Sequence, residues 1–163
     1  DGQARHWADY LYKLANRANT VVDKIDEYGD KITFTSTNKR NELRAEAVFL
    51  RAWAYRCLAG MFGGVVYTDH MTNEARYDYE LTSREETWAK LKEDFKYAEE
   101  NLPKTPRTMG TVTKAAAAHY LSEICLALGD FKDAEDAFNL VIHENPDDPT
   151  IMDYALFAKD ISK

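Results

Sequence analysis

Three tyrosines, Tyr67, Tyr77 and Tyr79, fall in one aperiodic stretch, interleaved with Asp69, Asn73, Asp78 and Glu80. An aromatic face stacks on the apolar face of a pyranose, and nearby carboxylates and amides exchange hydrogen bonds with its hydroxyls. That is the chemistry of sugar capture, and it marks Tyr67, Asp69, Tyr77 and Tyr79 as candidate ligand-binding residues. A plainer reading stands beside it, in which the same rings simply pin a long loop onto the domain beneath. The sequence leaves both open.

Other chemistry finds little support. His119 and Glu123 lie four residues apart, on one helix face. Zinc takes three or four protein ligands and no third is suggested, so a hydrogen-bonded pair near the helix surface is the expectation. His70 falls in the tyrosine-bearing loop, and His6 and His143 near helix ends, where solvated imidazoles are common. No H-E-x-x-H, G-x-S-x-G, Walker A or C-x-x-C pattern occurs, which removes the common catalytic signatures. With 28 acidic residues, neighbours such as Glu93 and Asp94 read as solvated helix faces rather than as a glycosidase pair. Catalytic residues, metals and cofactors are therefore not expected. Cys57 and Cys125 sit in apolar helical stretches and read as small buried hydrophobes.

The chain has 163 residues, 45% hydrophobic and 30% charged, the values of one soluble globular domain. A net charge of −7 without a basic cluster repels phosphate backbones, so no nucleic-acid partner is expected. No apolar run approaches the roughly 18 residues that span a bilayer; the longest, Ala45 to Phe62, is interrupted by Glu46, Arg51 and Arg56. The polar start Asp1-Gly2-Gln3 lacks both an initiator Met and an apolar leader core, so the chain reads as a mature or excised fragment.

The elements that must position the loop are helical. Apolar residues recur at three- and four-residue steps from Trp7 to Ile25, while Glu42 to Phe62 is apolar on nearly every side and belongs at the centre of a core. Ser83 with Glu86 forms a capping box. Gly129 turns one helix into the next, and Pro149 opens a last one. Helices are predicted over about 3–27, 42–62, 83–102, 114–128, 130–143 and 149–160. Arg51 lies amid Phe49, Leu50, Ala52 and Trp53, with no acid three or four residues away. Because an unpaired buried charge is expensive, its carboxylate must come from another helix, and Asp94 is the candidate.

Two of the helices share a pattern. Trp88, Leu91, Phe95, Ala98 and Pro103 recur, 43 residues on, as Phe131, Ala134, Phe138, Val141 and Pro146. This spacing resembles the second helix of a tetratricopeptide repeat, with Leu121, Ser122, Cys125 and Gly129 matching its first helix and turn. The fold class expected is all-α, built of tetratricopeptide-like stacked helical hairpins forming an α-α superhelix, with Phe95 and Phe138 in equivalent buried sites.

The run Ala45-Glu46-Ala47-Val48-Phe49-Leu50-Arg51-Ala52-Trp53-Ala54-Tyr55, followed by Met61-Phe62-Gly63-Gly64-Val65, resembles the signature helix of the SusD/RagB family. Trp7, Tyr10, Asn16 and Asn19 resemble its first helix, and Asp94 to Ala98 with Leu102-Pro103 its acidic-hydrophobic helix. Gly110, Thr113, Lys114 and Ala115 match the entry to the family's next helix, and Leu128-Gly129-Asp130-Phe131 with Ala134 match the turn and helix after it. Val66 stands where the family has proline, and Thr111 where it has arginine. The resemblance covers essentially the whole chain.

The resemblance implies a non-enzymatic glycan- or nutrient-binding lipoprotein, lipid-anchored at the cell surface of the outer membrane. Its partners would be a TonB-dependent (SusC-like) transporter and an oligosaccharide or other nutrient. It implies one helical domain over 1–163, part of a longer protein, serving mainly as scaffold and transporter-facing surface. From the residues alone, an intracellular tetratricopeptide adaptor binding peptides and a helical carbohydrate-active enzyme are the alternative readings.

Overall fold

Ser36, Ser83 and Thr113 each stand immediately before a helix in extended backbone, and each hydroxyl accepts a bond from the amide three residues on. Such caps satisfy donors that the first helical turn leaves orphaned. In the computed structural model, which describes residues 2–74 and 77–143, they open three of five helices. These are α1 (Gly2–Tyr28), α2 (Thr37–Phe62), α3 (Arg84–Asn101), α4 (Lys114–Leu128) and α5 (Phe131–His143). The fold is all-α. Among the described residues the only strand-like pairing is an isolated bridge, Val65 with Thr82. The helix expected over 149–160 lies outside the described residues.

Each helix packs on the next in chain order, α1 on α2 through to α4 on α5, as stacked hairpins require. The interior of α1 falls at helical steps, Leu11, Ala15, Ala18, Val22 and Ile25. Helix α2 contributes the largest share of the buried core, from Ala45 to Ala59, although Leu50, Met61 and Phe62 stay exposed and Trp53 and Cys57 are only half-buried. Alanines at 52, 54, 59, 98, 117 and 118 are all fully buried, and their small size lets the helical backbones approach. Three rings close the core across α2, α3 and α4: Phe49 to Phe95 at 5.7 Å, Phe95 to Tyr120 at 5.5 Å, and Phe49 to Tyr120 at 5.8 Å between centroids. Cys125 is buried and Cys57 half-buried, both as free thiols, and burial pushes both up from the ordinary cysteine range.

The capping box is as predicted, Ser83 and Glu86 each accepting from the other's backbone amide. Helix α2 starts five residues before the sequence pattern places it, because Ser36 caps it and the Lys39–Glu42 ion pair (2.9 Å) supports its first turns. Glycine ends two helices where a positive φ is needed: Gly63 (φ 80°) after α2 and Gly129 (φ 82°) after α4. Asp130 begins α5 through its carbonyl, which accepts from the Ala134 amide at 3.0 Å, while its carboxylate reaches Lys92 at 2.7 Å.

The expected equivalence of Phe95 and Phe138 does not hold. Phe95 is fully buried, whereas Phe138 is 39% exposed and Phe131 71% exposed. The reason is position in the stack. Helix α3 is covered on two sides, by α2 and α4, but among the described residues α5 packs mainly on α4 and meets α3 through the Lys92–Asp133 ion pair at its start. It buries Ala134 and Ala137 there and leaves its large rings outside.

Candidate functional site

The loop that joins α2 to α3 is held by one face of α1. Tyr12, Asn16, Asn19 and Asp23 follow each other at steps of four, three and four, which puts them in one row. Tyr12 Oη accepts from the Val66 amide at 3.1 Å. The Asn16 side chain accepts from the Thr72 amide at 2.8 Å and donates to the Thr72 carbonyl at 3.3 Å. Asn19, fully buried, donates to the Thr68 and His70 carbonyls at 2.8 and 3.1 Å. Asp23 accepts from the Met71 amide at 2.7 Å and pairs with His70 Nδ1 at 2.8 Å. The row does for this loop what a neighbouring strand does in a sheet, with side chains in place of backbone.

Arg51 ties the arrangement to the core. Its Nε and Nη2 donate to the two Asp94 oxygens at 2.9 and 2.6 Å, and Nη1 donates to Asn19 Oδ1 at 3.2 Å and to the Asp69 carbonyl at 3.0 Å. The partner expected from sequence is the partner found. Burial pushes the Asp94 carboxyl up from the ordinary range, against the pull of the Arg51 guanidinium. Tyr55 Oη completes the anchoring by accepting from the Thr68 amide at 2.9 Å.

The four candidate ligand residues fall in different surroundings. Tyr67 is half-buried, its ring 4.6 Å from that of Tyr55 with the Lys90 ammonium 5.2 Å from its centroid; burial raises its phenol above the ordinary tyrosine range. Asp69 is exposed, its carbonyl held by Arg51. Tyr77 is 97% exposed. Tyr79 lines a hollow of about 340 Å³ with Tyr12, Asn16, Tyr55, Thr68 and Thr72, to which the other three candidates do not contribute. Among the described residues, then, Tyr67 is turned inward onto Tyr55 while Tyr77 and Tyr79 are exposed.

Other groups meet in ways the sequence did not announce. Glu123 takes Arg56 across the helix interface, Nε to Oε1 at 3.0 Å and Nη2 to Oε2 at 2.7 Å. That corrects the expected His119–Glu123 pair; a guanidinium offers two parallel donors where an imidazole offers one. The His119 ring packs edge-on against Tyr120, centroids 5.2 Å apart. All three tryptophans, Trp7, Trp53 and Trp88, border a second hollow of about 510 Å³ beside the Arg56–Glu123 pair. No group of three or more His, Cys, Asp or Glu stands ready for a metal ion among the described residues. Nor is any helix among them long and apolar enough to cross a membrane.

A family profile described as "Starch-binding associating with outer membrane", SusD-like, matches residues 2–126. SusD-like protein P2 of Formosa agariphila is 31% identical over 134 residues, covering 81% of this chain and 26% of the relative. The crystal structure of a SusD superfamily protein from Bacteroides vulgatus superposes with a TM-score of 0.76 at 24% identity, over 85% of this chain and 29% of that one. A laminarin-binding SusD-like protein gives 0.72 at 20% identity, over 83% and 29%. At these identities the two structural likenesses show the fold alone, and the chain spans less than a third of each relative's length. On the match over residues 2–126, the chain belongs to the SusD-like family.

Proposed function

We propose that this chain is the tetratricopeptide-like part of a non-enzymatic, lipid-anchored nutrient-binding protein at the outer-membrane surface, working with a TonB-dependent transporter. Its own share is scaffold and transporter-facing surface. The family description supports carbohydrate binding, and one structural relative binds laminarin. The observation that carries the division of labour is the state of the loop's polar groups. Thr68, His70, Met71 and Thr72 spend their backbone donors or acceptors on α1, and Tyr67 is stacked inside on Tyr55. Tyr77, Tyr79 and Asp69 face outward and are the residues from which this part would touch a sugar held mainly elsewhere.

Calorimetry with laminarin oligosaccharides tests the reading, on this chain and on a family-length protein that contains it. The longer protein should bind and co-purify with its transporter, and this chain alone should give no measurable heat. Equal affinity in the two, lost on replacing Tyr77 and Tyr79 by alanine, would place the site in this loop and end the scaffold reading.

A further inference from the structure

Helix α1 carries a second row of side chains that neither the fold nor the loop uses. His6, Tyr10, Lys13 and Arg17 follow one another at steps of four, three and four, the same spacing as the loop-holding row but on another side of the helix. Beside it run Trp7, Leu11 and Leu14, and Trp53 of α2 faces them. Together these residues enclose an open groove of about 630 Å³. Trp7 is 58% and Tyr10 59% exposed, and the His6 and Tyr10 rings meet edge-on at 4.7 Å. The groove continues past Trp7, Leu11 and Trp53 into the three-tryptophan hollow. So large an aromatic surface on an exposed face marks an interaction site.

The rim says what kind. In a chain of net charge −7, Lys13 and Arg17 have no ion-pair or hydrogen-bond partner among the described residues. Every basic side chain of α2 is matched: Lys39 with Glu42, Arg40 with Asp30, Arg44 with Asp26, Arg51 with Asp94 and Arg56 with Glu123. An apolar floor with a free cationic rim complements an occupant that is apolar on one side and acidic on its flanks.

Three other occupants fit less well. A second copy meeting this face about a two-fold axis would bring two identical cationic rims together. A pyranose sunk between Trp7, Leu11, Leu14 and Trp53 would lose water from its hydroxyls, and the Trp53 indole N–H is already given to Tyr120 Oη at 3.3 Å. An anionic bilayer is flat, repels the chain's net charge, and would leave Trp53 on the groove floor unreached.

We propose that the groove between α1 and α2 is a docking surface for an acidic amphipathic segment of a protein partner, laid in as a helix lies in an apolar groove. This rests on the partner-facing role proposed above and assigns it a place. The test monitors the emission of Trp7 and Trp53. The probe is a synthetic amphipathic helix with leucine on one face and glutamate on the other, compared with its glutamine-for-glutamate twin. The acidic peptide should bind against the chain's net charge, shift the emission to the blue, and compete with the partner transporter for the full chain. The twin should bind about tenfold more weakly, and Lys13→Glu with Arg17→Glu should weaken the acidic peptide by about tenfold. Both side chains are exposed, so that variant should keep the wild-type helical CD. Trp7→Ala, likewise at an exposed position, should weaken peptide binding and leave only the smaller Trp53 share of the shift.

Equal affinity for the two peptides, or indifference to the charge reversal, overturns the proposal. So does an oligogalacturonate that alone reproduces the shift, because the groove is then a sugar site. Transporter capture that survives Lys13→Glu with Arg17→Glu sinks the groove and leaves the proposed function standing. Peptide binding without any transporter capture does the reverse.

Discussion

Arg51 and Asp94 meet side-on, Nη2 to Oδ1 at 2.6 Å and Nε to Oδ2 at 2.9 Å, joining α2 to α3 inside the stack. The same guanidinium reaches Asn19 of α1 and the Asp69 carbonyl of the loop, so one side chain fixes three helices and the segment between them. Arg51 is only 7% exposed. A buried pair of this kind adds little over a well-packed apolar pair, yet losing one member strands the other charge.

Arg51→Ala is therefore expected to cost about 3–5 kcal/mol, and Asp94→Ala a comparable amount. Combining Arg51→Met with Asp94→Leu, which replaces both charges by apolar side chains, should recover most of the loss. Urea denaturation of these variants beside the wild type checks this. Single-variant costs near those of ordinary surface changes, about 0.5 kcal/mol, would show that the pair is not buried in solution.

Phe95→Ala should cost about 3–5 kcal/mol, since the ring is fully buried between Phe49 and Tyr120 and little can collapse into its space. Phe138→Ala should cost about 1 kcal/mol, the centre of the range for point changes, because that ring is partly in solvent. Equal losses at the two positions would restore the equivalence that the spacing of 43 residues suggests.

What the sequence made legible was whatever has a local or forced cause. The Ser83–Glu86 box is local chemistry, and α2 declares its large share of the core by being apolar on nearly every side. Arg51, with no acid three or four residues away, needed a carboxylate from another helix, although Asp94 also read as part of a solvated face. The row of Tyr12, Asn16, Asn19 and Asp23 was not legible, because its partners are backbone groups of a loop and leave no mark in residue type. Polar residues at that spacing read as a solvated face. Glu123 misled for a related reason: an i,i+4 neighbour is visible in the sequence, while the cross-helix Arg56 depends on how α2 and α4 pack. Phe138 matched the repeat in spacing, but burial depends on which helices cover it.

Asn19→Ala should free the middle of the loop. The amide is fully buried, and its removal leaves the His70 carbonyl and one Arg51 donor short of a partner and the Thr68 carbonyl with the Tyr55 hydroxyl alone, at 3.2 Å. The expected cost is about 1–3 kcal/mol. Hydrogen exchange should quicken at Thr68, Met71 and Thr72 more than at amides of the α3–α4 interface. Uniform quickening across the chain would mean that the loop and the helices open as one unit.

The contact between His70 and Asp23 gives the loop a pH dependence of known sign. The Asp23 carboxylate, hydrogen-bonded to Nδ1 at 2.8 Å, raises the imidazole above its ordinary value of 6.5. Asp69 nearby adds to the rise, while slight burial and the more distant Arg51 guanidinium oppose it. A group whose folded value is raised contributes fully below its unfolded value, so the pair holds the loop best below about 6.5. Its contribution fades as pH climbs through the raised value and the imidazolium loses its proton. The effect should be modest and should shrink in salt, since the imidazole is 80% exposed. The Met71 amide bonds the other Asp23 oxygen whatever the charge on His70, so the loop should loosen at His70 without detaching. An NMR titration of the His70 ring should show a midpoint above the ordinary histidine value of about 6.5, and Asp23→Asn should bring it back to that value. A His70 midpoint at or below about 6.5, or one indifferent to Asp23→Asn, would remove the ion pair from the solution structure and leave Tyr12, Asn16, Asn19 and the Asp23–Met71 bond as the loop's ties to α1.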